Sequence, residues 1–216
     1  MVFRETAIWM LNNVDLLLEQ TLEHIDIALT AIVIGTILWV PLGVFVYQYD
    51  RFSPPVIGLA GMILTLPSLV LFPLPIPVVG IGTTPATVAL VLYAALPITR
   101  NTYTGLGEVD AAVKRAGEGL GMTDRQLLAR VKLPMAVPVI FAGIRQAAVL
   151  IIGITTIAAF FGAGGLGASI FAGIRLNLPK QIIGATIVVS LLAIVTDYGL
   201  GLLQRQLPGG KRGLNT

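Results

Sequence analysis

Residues 105–134 read GLGEVDAAVKRAGEGLGMTDRQLLARVKLP, a charged and glycine-punctuated stretch in an otherwise apolar chain. Counting Arg100 just upstream, it holds six of the fourteen Lys and Arg residues and four of the eleven acids. A connection that merely joined two helices would need only a few residues. This one is long and charged enough to dock on a partner, and apolar runs lie on both sides of it. The pattern is that of a membrane subunit with one polar handle.

Composition agrees. The chain is 56% hydrophobic and 12% charged, with mean hydropathy +0.89, whereas about a quarter of a soluble domain's residues are charged. Its 216 residues leave room for one unit, expected to run over 1–216 with a membrane core at about 25–204. The absence of cysteine excludes disulfides, thiolate metal sites and Cys nucleophiles. A pI near 9.4 would suggest nucleic acid in a soluble protein. In so apolar a chain, basic loops that set orientation in lipid account for it, and no nucleic-acid partner is expected. Arg4 stands alone, with no long apolar run directly after it, so no cleavable signal peptide is expected.

A helix needs about 20 apolar residues to cross the hydrocarbon core. Five runs qualify: 25–47, 55–72, 85–102, 136–161 and 181–204. Backbone groups in lipid must be satisfied within the segment, so all are read as helices and the fold class as all-α. The second run carries Pro67 and enters the proline-dense FPLPIPVVGIGTTP, which cannot continue a helix. Residues 7–22 mix apolar side chains with Asn12, Asn13, Asp15 and Glu19, the pattern of an interfacial helix lying along the membrane. If 105–134 is cytoplasmic, that face gathers Arg51, Arg100, Lys114, Arg115, Arg125, Arg130, Lys132, Arg205, Lys211 and Arg212. The other face has only Arg4, Arg175 and Lys180, so the N-terminus is expected outside and the C-terminus inside.

The spacing within 105–134 is specific. Arg115-Ala116-Gly117 is followed by Gly121, then by Val131, Leu133 and Pro134. This resembles the E-A-A, Gly, Ile-x-Leu-Pro motif of permease subunits in binding-protein-dependent ABC importers. Two departures stand out. Arg115 replaces the motif's Glu, with an acid following at Glu118, and Gly117 replaces its second Ala. The segments LPSLVLF, LVLYAALPITRNTYTGL, AGIRQA and FFGAGGLGASIFAGI extend the resemblance from about 29 to 203, toward permeases of osmoprotectant importers. The resemblance implies an ABC importer type I permease fold with cytoplasmic coupling helices. It further implies docking of ATPase subunits on 105–134, a second permease chain (identical or not), and an extracytoplasmic solute-binding protein. Embedded in the lipid of the cytoplasmic membrane, this chain would hold no cofactor, with ATP and Mg on the ATPase. Within the motif, glycine lets the backbone turn and approach closely, and Pro134 is expected to end the coupling segment. The solutes implied are glycine betaine, choline, carnitine and similar quaternary ammonium compounds. Another small solute, such as an amino acid or a sulfonate, stays open. A stand-alone secondary transporter is a weaker reading, because no internal repeat is visible.

A quaternary ammonium donates no hydrogen bond and is commonly held by aromatic faces. Tyr93, Tyr103, Phe160 and Phe161 are therefore candidate path residues; otherwise they pack, and Trp9, Trp39, Tyr47 and Tyr49 form interfacial belts. Arg145 and Asp197 are the two charges well inside spans, away from their ends, each placed in the cytoplasmic half. They either pair and hold the fourth and fifth spans together, or reach the interface separately.

Residues 162–167, GAGGLG, fit the dinucleotide pattern literally. They lack the preceding strand and the following acid that this chemistry requires, so they are read as a tight outer turn, with a part in an outer gate as the functional alternative. His24 has no second imidazole near it and no metal is expected. No P-loop and no catalytic set are present, so the chain is not read as an enzyme.

Overall fold

The computed structural model describes residues 2–207, and among these there is no strand. Lys211 and Arg212, counted above toward the cytoplasmic face, lie outside the described residues.

The chain opens with α1 (Val2–Asn12) and, after a break at Asn13, continues into α2 (Val14–Gln48). The expected interfacial helix over 7–22 is thus divided. The Asn13 side-chain amide donates to Trp9 O at 2.8 Å, competing with the helix ladder as short polar side chains do. Residues beyond the break belong to the first span. Helix α1 lies against the last helix of the chain, where a Cβ at Gly184 would come within 2.9 Å of the Trp9 ring.

The expected span 55–72 is not one crossing helix. Helix α3 (Ser53–Thr65) stops, and the chain bends by 100° into α4 (Ser68–Leu71) and α5 (Ile76–Val79). Pro67 forces the residue before it out of the helical region, and Leu66 has ψ 133°. The expected span 85–102 is likewise two helices, α6 (Thr83–Tyr93) and α7 (Ala95–Gly107), joined at Ala94.

Three single helices are long and apolar enough to cross a membrane: α2, the run Asp124–Phe161, and α12 (Pro179–Gln206). The second begins on the polar stretch as α9 (Asp124–Leu127), after the separate α8 (Ala111–Gly119), and includes α10 (Leu133–Ala158). A last short helix, α11 (Leu166–Arg175), precedes α12.

The centre of the packing is α7, held between α2 and α10. Small residues let membrane helices approach closely. A Cβ at Gly43 on α2 would lie 2.5 Å from Thr102 Cβ, and one at Gly143 on α10 would lie 2.6 Å from Pro97 O. The buried core around these crossings is rich in alanine, including Ala31, Ala89, Ala94 and Ala147.

Candidate functional site

The polar stretch folds locally for readable reasons. Asp110 caps α8, its carboxylate accepting from Ala112 N at 2.7 Å. At the other end Gly121 has φ +75°, the left-handed conformation that glycine tolerates. There Met122 N donates to Gly117 O at 3.1 Å and Gly121 N donates to Glu118 O at 2.9 Å, the paired bonds of a Schellman cap. No atom lies within 4 Å of a Cβ built at Gly121. The turn, and not a close approach within this chain, requires glycine there. Thr123 and Gln126 then form a reciprocal capping box that starts α9.

Gly117, the departure from the motif's alanine, has a structural reason. It is buried, and a Cβ there would sit 2.5 Å from Cδ1 of Leu127, whose side chain fills the angle between α8 and α9. Arg115, Ala116 and Glu118 point away from that contact and are exposed. Leu120, 79% exposed at the end of α8, is a residue that reading for charge passed over. Its signal is an apolar side chain between two glycines in a charged loop.

Pro134 does not end the coupling segment. The helix widens over Leu128–Lys132 into a π turn, in which Leu133 N donates to Leu128 O. This change of register accommodates the ring and missing N–H of Pro134 near the start of α10. Val131 lies within the π turn and Leu133 follows it, so the second half of the motif is continuous with the long helix.

Behind α8 and α9 is a cleft of about 660 Å³, bordered by Tyr47, Tyr103, Lys114, Arg125 and Lys132. Tyr103 donates to Asp50 Oδ1 at 2.8 Å, and Lys132 Nζ lies 5.3 Å from the Tyr47 ring centroid. Tyr103 therefore belongs with the charged loop. Tyr93 is 2% exposed, and its hydroxyl donates to Leu66 O at 2.7 Å, satisfying the carbonyl at the α3–α4 break. Trp39, read as part of an interfacial belt, instead donates through Nε1 to Val91 O at 2.7 Å, beside the α6–α7 junction. Phe161 stacks on the buried Phe72 at 5.8 Å, while Phe160 is 62% exposed and meets Phe171 at 5.3 Å.

The 162–167 turn is fastened to α2. Gly162, Gly164 and Gly165 all have positive φ. Gly165 N donates to Glu23 Oε2 at 2.8 Å. The adjacent His24 is fully buried, and its Nε2–H donates to Ile152 O at 2.9 Å. A Cβ on Gly167 would overlap the Thr156 carbonyl oxygen. No group of three His, Cys, Asp or Glu at metal-binding distance exists among the described residues.

Arg145 and Asp197 come together. Nε donates to Oδ1 at 2.6 Å and Nη2 to Oδ2 at 2.7 Å, a fork-to-fork pair. Arg145 stands close to the middle of α10, and Asp197 lies in the second half of α12. The side chains stay 33% and 39% exposed. A second tie between these helices runs from Gln204 Nε2 to Pro138 O at 2.9 Å.

With this geometry in view, the chain's likenesses are specific. Residues 31–208 match the family described as binding-protein-dependent transport system inner membrane component. The chain belongs to that family. Relatives of this permease include the choline transport system permease protein OpuBB of Bacillus subtilis, 45% identical, with 92% of each chain covered. The glycine betaine/carnitine/choline transport system permease protein OpuCB of the same organism is 44% identical, again over 92% of each. Among solved structures, an inward-facing form of the MetNI methionine ABC transporter matches with TM-score 0.78 over 89% of this permease and 96% of that chain, at 20% identity. That likeness shows the fold. The expected helical permease architecture holds, with the second span broken at Pro67.

Proposed function

We propose that this permease is the transmembrane subunit of an ATP-driven importer for quaternary ammonium compatible solutes of the glycine betaine, choline and carnitine type. The observation that carries the reading is the 45% and 44% identity to choline and glycine betaine/carnitine/choline permeases over 92% of the chain.

In this reading the exposed side of α8, with Arg115, Ala116, Glu118 and Leu120, meets a cleft in the ATPase subunit. ATP and Mg bind elsewhere on that ATPase subunit, and this chain catalyses nothing itself. Leu127 locked under Gly117 makes α8 and α9 move as one piece, and α9 runs on into α10. Closure of the ATPase is thereby passed to a spanning helix. A second permease chain, identical or not, completes the path. A binding protein delivers solute on the outer side, where the 162–167 turn lies, while 105–134 faces the cytoplasm. This orientation, N-terminus out and C-terminus in, follows the lysine and arginine bias in the cytoplasmic membrane.

The test is ATP-dependent uptake of labelled glycine betaine into proteoliposomes containing the complete complex and its binding protein. Uptake that needs both ATP and the binding protein, and is competed by choline or carnitine, is expected. No uptake from an assembled, ATP-hydrolysing complex would leave the importer and discard the osmoprotectant assignment.

A further inference from the structure

Two adjoining grooves on one side of the chain share Gln146 and Leu150. Together they carry Arg100 and Asn101 from α7, Arg145 and Gln146 from α10, and Asp197 and Gln204 from α12. Charged and amide side chains on spanning helices are kept away from acyl chains and turned toward water or protein. Along α12, Ile187, Leu191, Ile194 and Val195 form an exposed apolar strip, and the neighbouring Thr186 and Ser190 hydroxyls bond back to their own helix. The polar side is therefore the one suited to face an aqueous path, and the ion pair is its most strongly charged element.

The pair is built to be reached. Its groove is open along one side and offers about 600 Å³. The guanidinium uses only Nε and Nη2 on Asp197, so Nη1 makes no side-chain bond among the described residues. It rests over Gly201, where a Cβ would come within 3.0 Å of Nη1. With no solute present the two charges neutralise each other, which avoids the cost of a lone charge at membrane depth.

We propose that the Arg145–Asp197 pair is a specificity-determining element of the path, one that receives solutes carrying both a quaternary ammonium and a carboxylate. This rests on the function proposed above. Arg145 takes the solute carboxylate through its planar fork, which matches carboxylate geometry. Asp197 faces the quaternary ammonium, which donates no hydrogen bond and asks only for a nearby negative charge. The exchange leaves every charge paired. Choline has the cation but no carboxylate, so it engages Asp197 and leaves Arg145 without a new partner.

The experiment compares uptake of glycine betaine, carnitine and choline by the complete complex in proteoliposomes, each at saturating loaded binding protein. Arg145→Gln is expected to lower betaine and carnitine uptake about tenfold and choline uptake less than about threefold. Asp197→Asn is expected to lower all three. If Arg145→Gln fails to assemble, Arg145→Lys keeps the charge without the fork and should shift the betaine-to-choline ratio in the same direction. Equal losses of betaine and choline in Arg145 variants that still hydrolyse ATP would overturn the proposal and leave the pair as a tie between α10 and α12. A wild-type complex that takes up none of the three overturns the proposed function itself. The two failures are thus distinguishable.

Discussion

Glu23 and Gly165, separated by 142 positions in sequence, meet across the top of the fold, where the Gly165 amide donates to the Glu23 carboxylate at 2.8 Å. One orphan donor at the start of α11, the Gly165 amide, is served by a side chain from α2, a cap supplied by another element. Removing it in Glu23→Ala is expected to cost about 1 kcal/mol. Glu23→Gln keeps an oxygen acceptor and should recover part of that. Thermal unfolding of the purified complex in detergent measures both; an Ala variant as stable as the wild type would mean the contact contributes nothing.

Gly167 should be the least replaceable glycine of the outer turn, because a methyl group there overlaps the Thr156 carbonyl oxygen. Gly167→Ala is expected to destabilise by about 2–3 kcal/mol, the range for overpacking a close-packed site. Gly199→Ala, where a Cβ would meet nothing within 4 Å, is the matched control and should be neutral or slightly stabilising. The yield of monodisperse protein from each variant separates them.

Gly121 is constrained by its dihedral angle alone. Gly121→Asn should retain more coupling than Gly121→Ala, since Asn tolerates the left-handed region better. Gly121→Asp is expected to insert normally while uptake falls to background, through added charge at the docking surface. Co-purification of the ATPase alongside uptake provides the readout, and normal ATP-driven uptake by the Asp variant would count against the docking role of 105–134.

Arg115 and Glu118 are both exposed and unpaired, as the single salt bridge among the described residues is Arg145–Asp197. Exchanging the two should leave stability within about 0.5 kcal/mol, as surface changes do. It should weaken ATPase binding, with recovery when the facing charges on the ATPase are exchanged as well. Retention of ATPase on an affinity column at increasing salt would show this, screening being stronger for an exposed charge contact.

Hydropathy located α2, α10 and α12 because each is a long apolar run, and length is what spanning demands. It misjudged 55–72 for the same reason. Hydropathy carries no information about backbone direction, which turns by 100° at Leu66 and Pro67. The motif spacing around Gly121 was legible because turn chemistry is local. The glycine at 117 became intelligible only with Leu127 against it, and Trp39 was read as a belt residue because its acceptor, Val91 O, belongs to another helix. The partner of Glu23 is a backbone amide in a distant turn, for which no local pattern exists. Arg145 and Asp197 were the reverse case, as two lone charges in apolar spans advertise themselves.

The uninterrupted helical run Asp124–Phe161 has a mechanical consequence. Its 38 residues make a rod of about 57 Å at 1.5 Å per residue, with the coupling surface at one end and Phe160 at the other. A rigid rod of that length pivoting about its midpoint by about 5° displaces each end by about 2.5 Å, in opposite directions. Pushing the inner tip one way thus draws the outer tip the other, and in the importer proposed above one helix would link the two sides of the membrane.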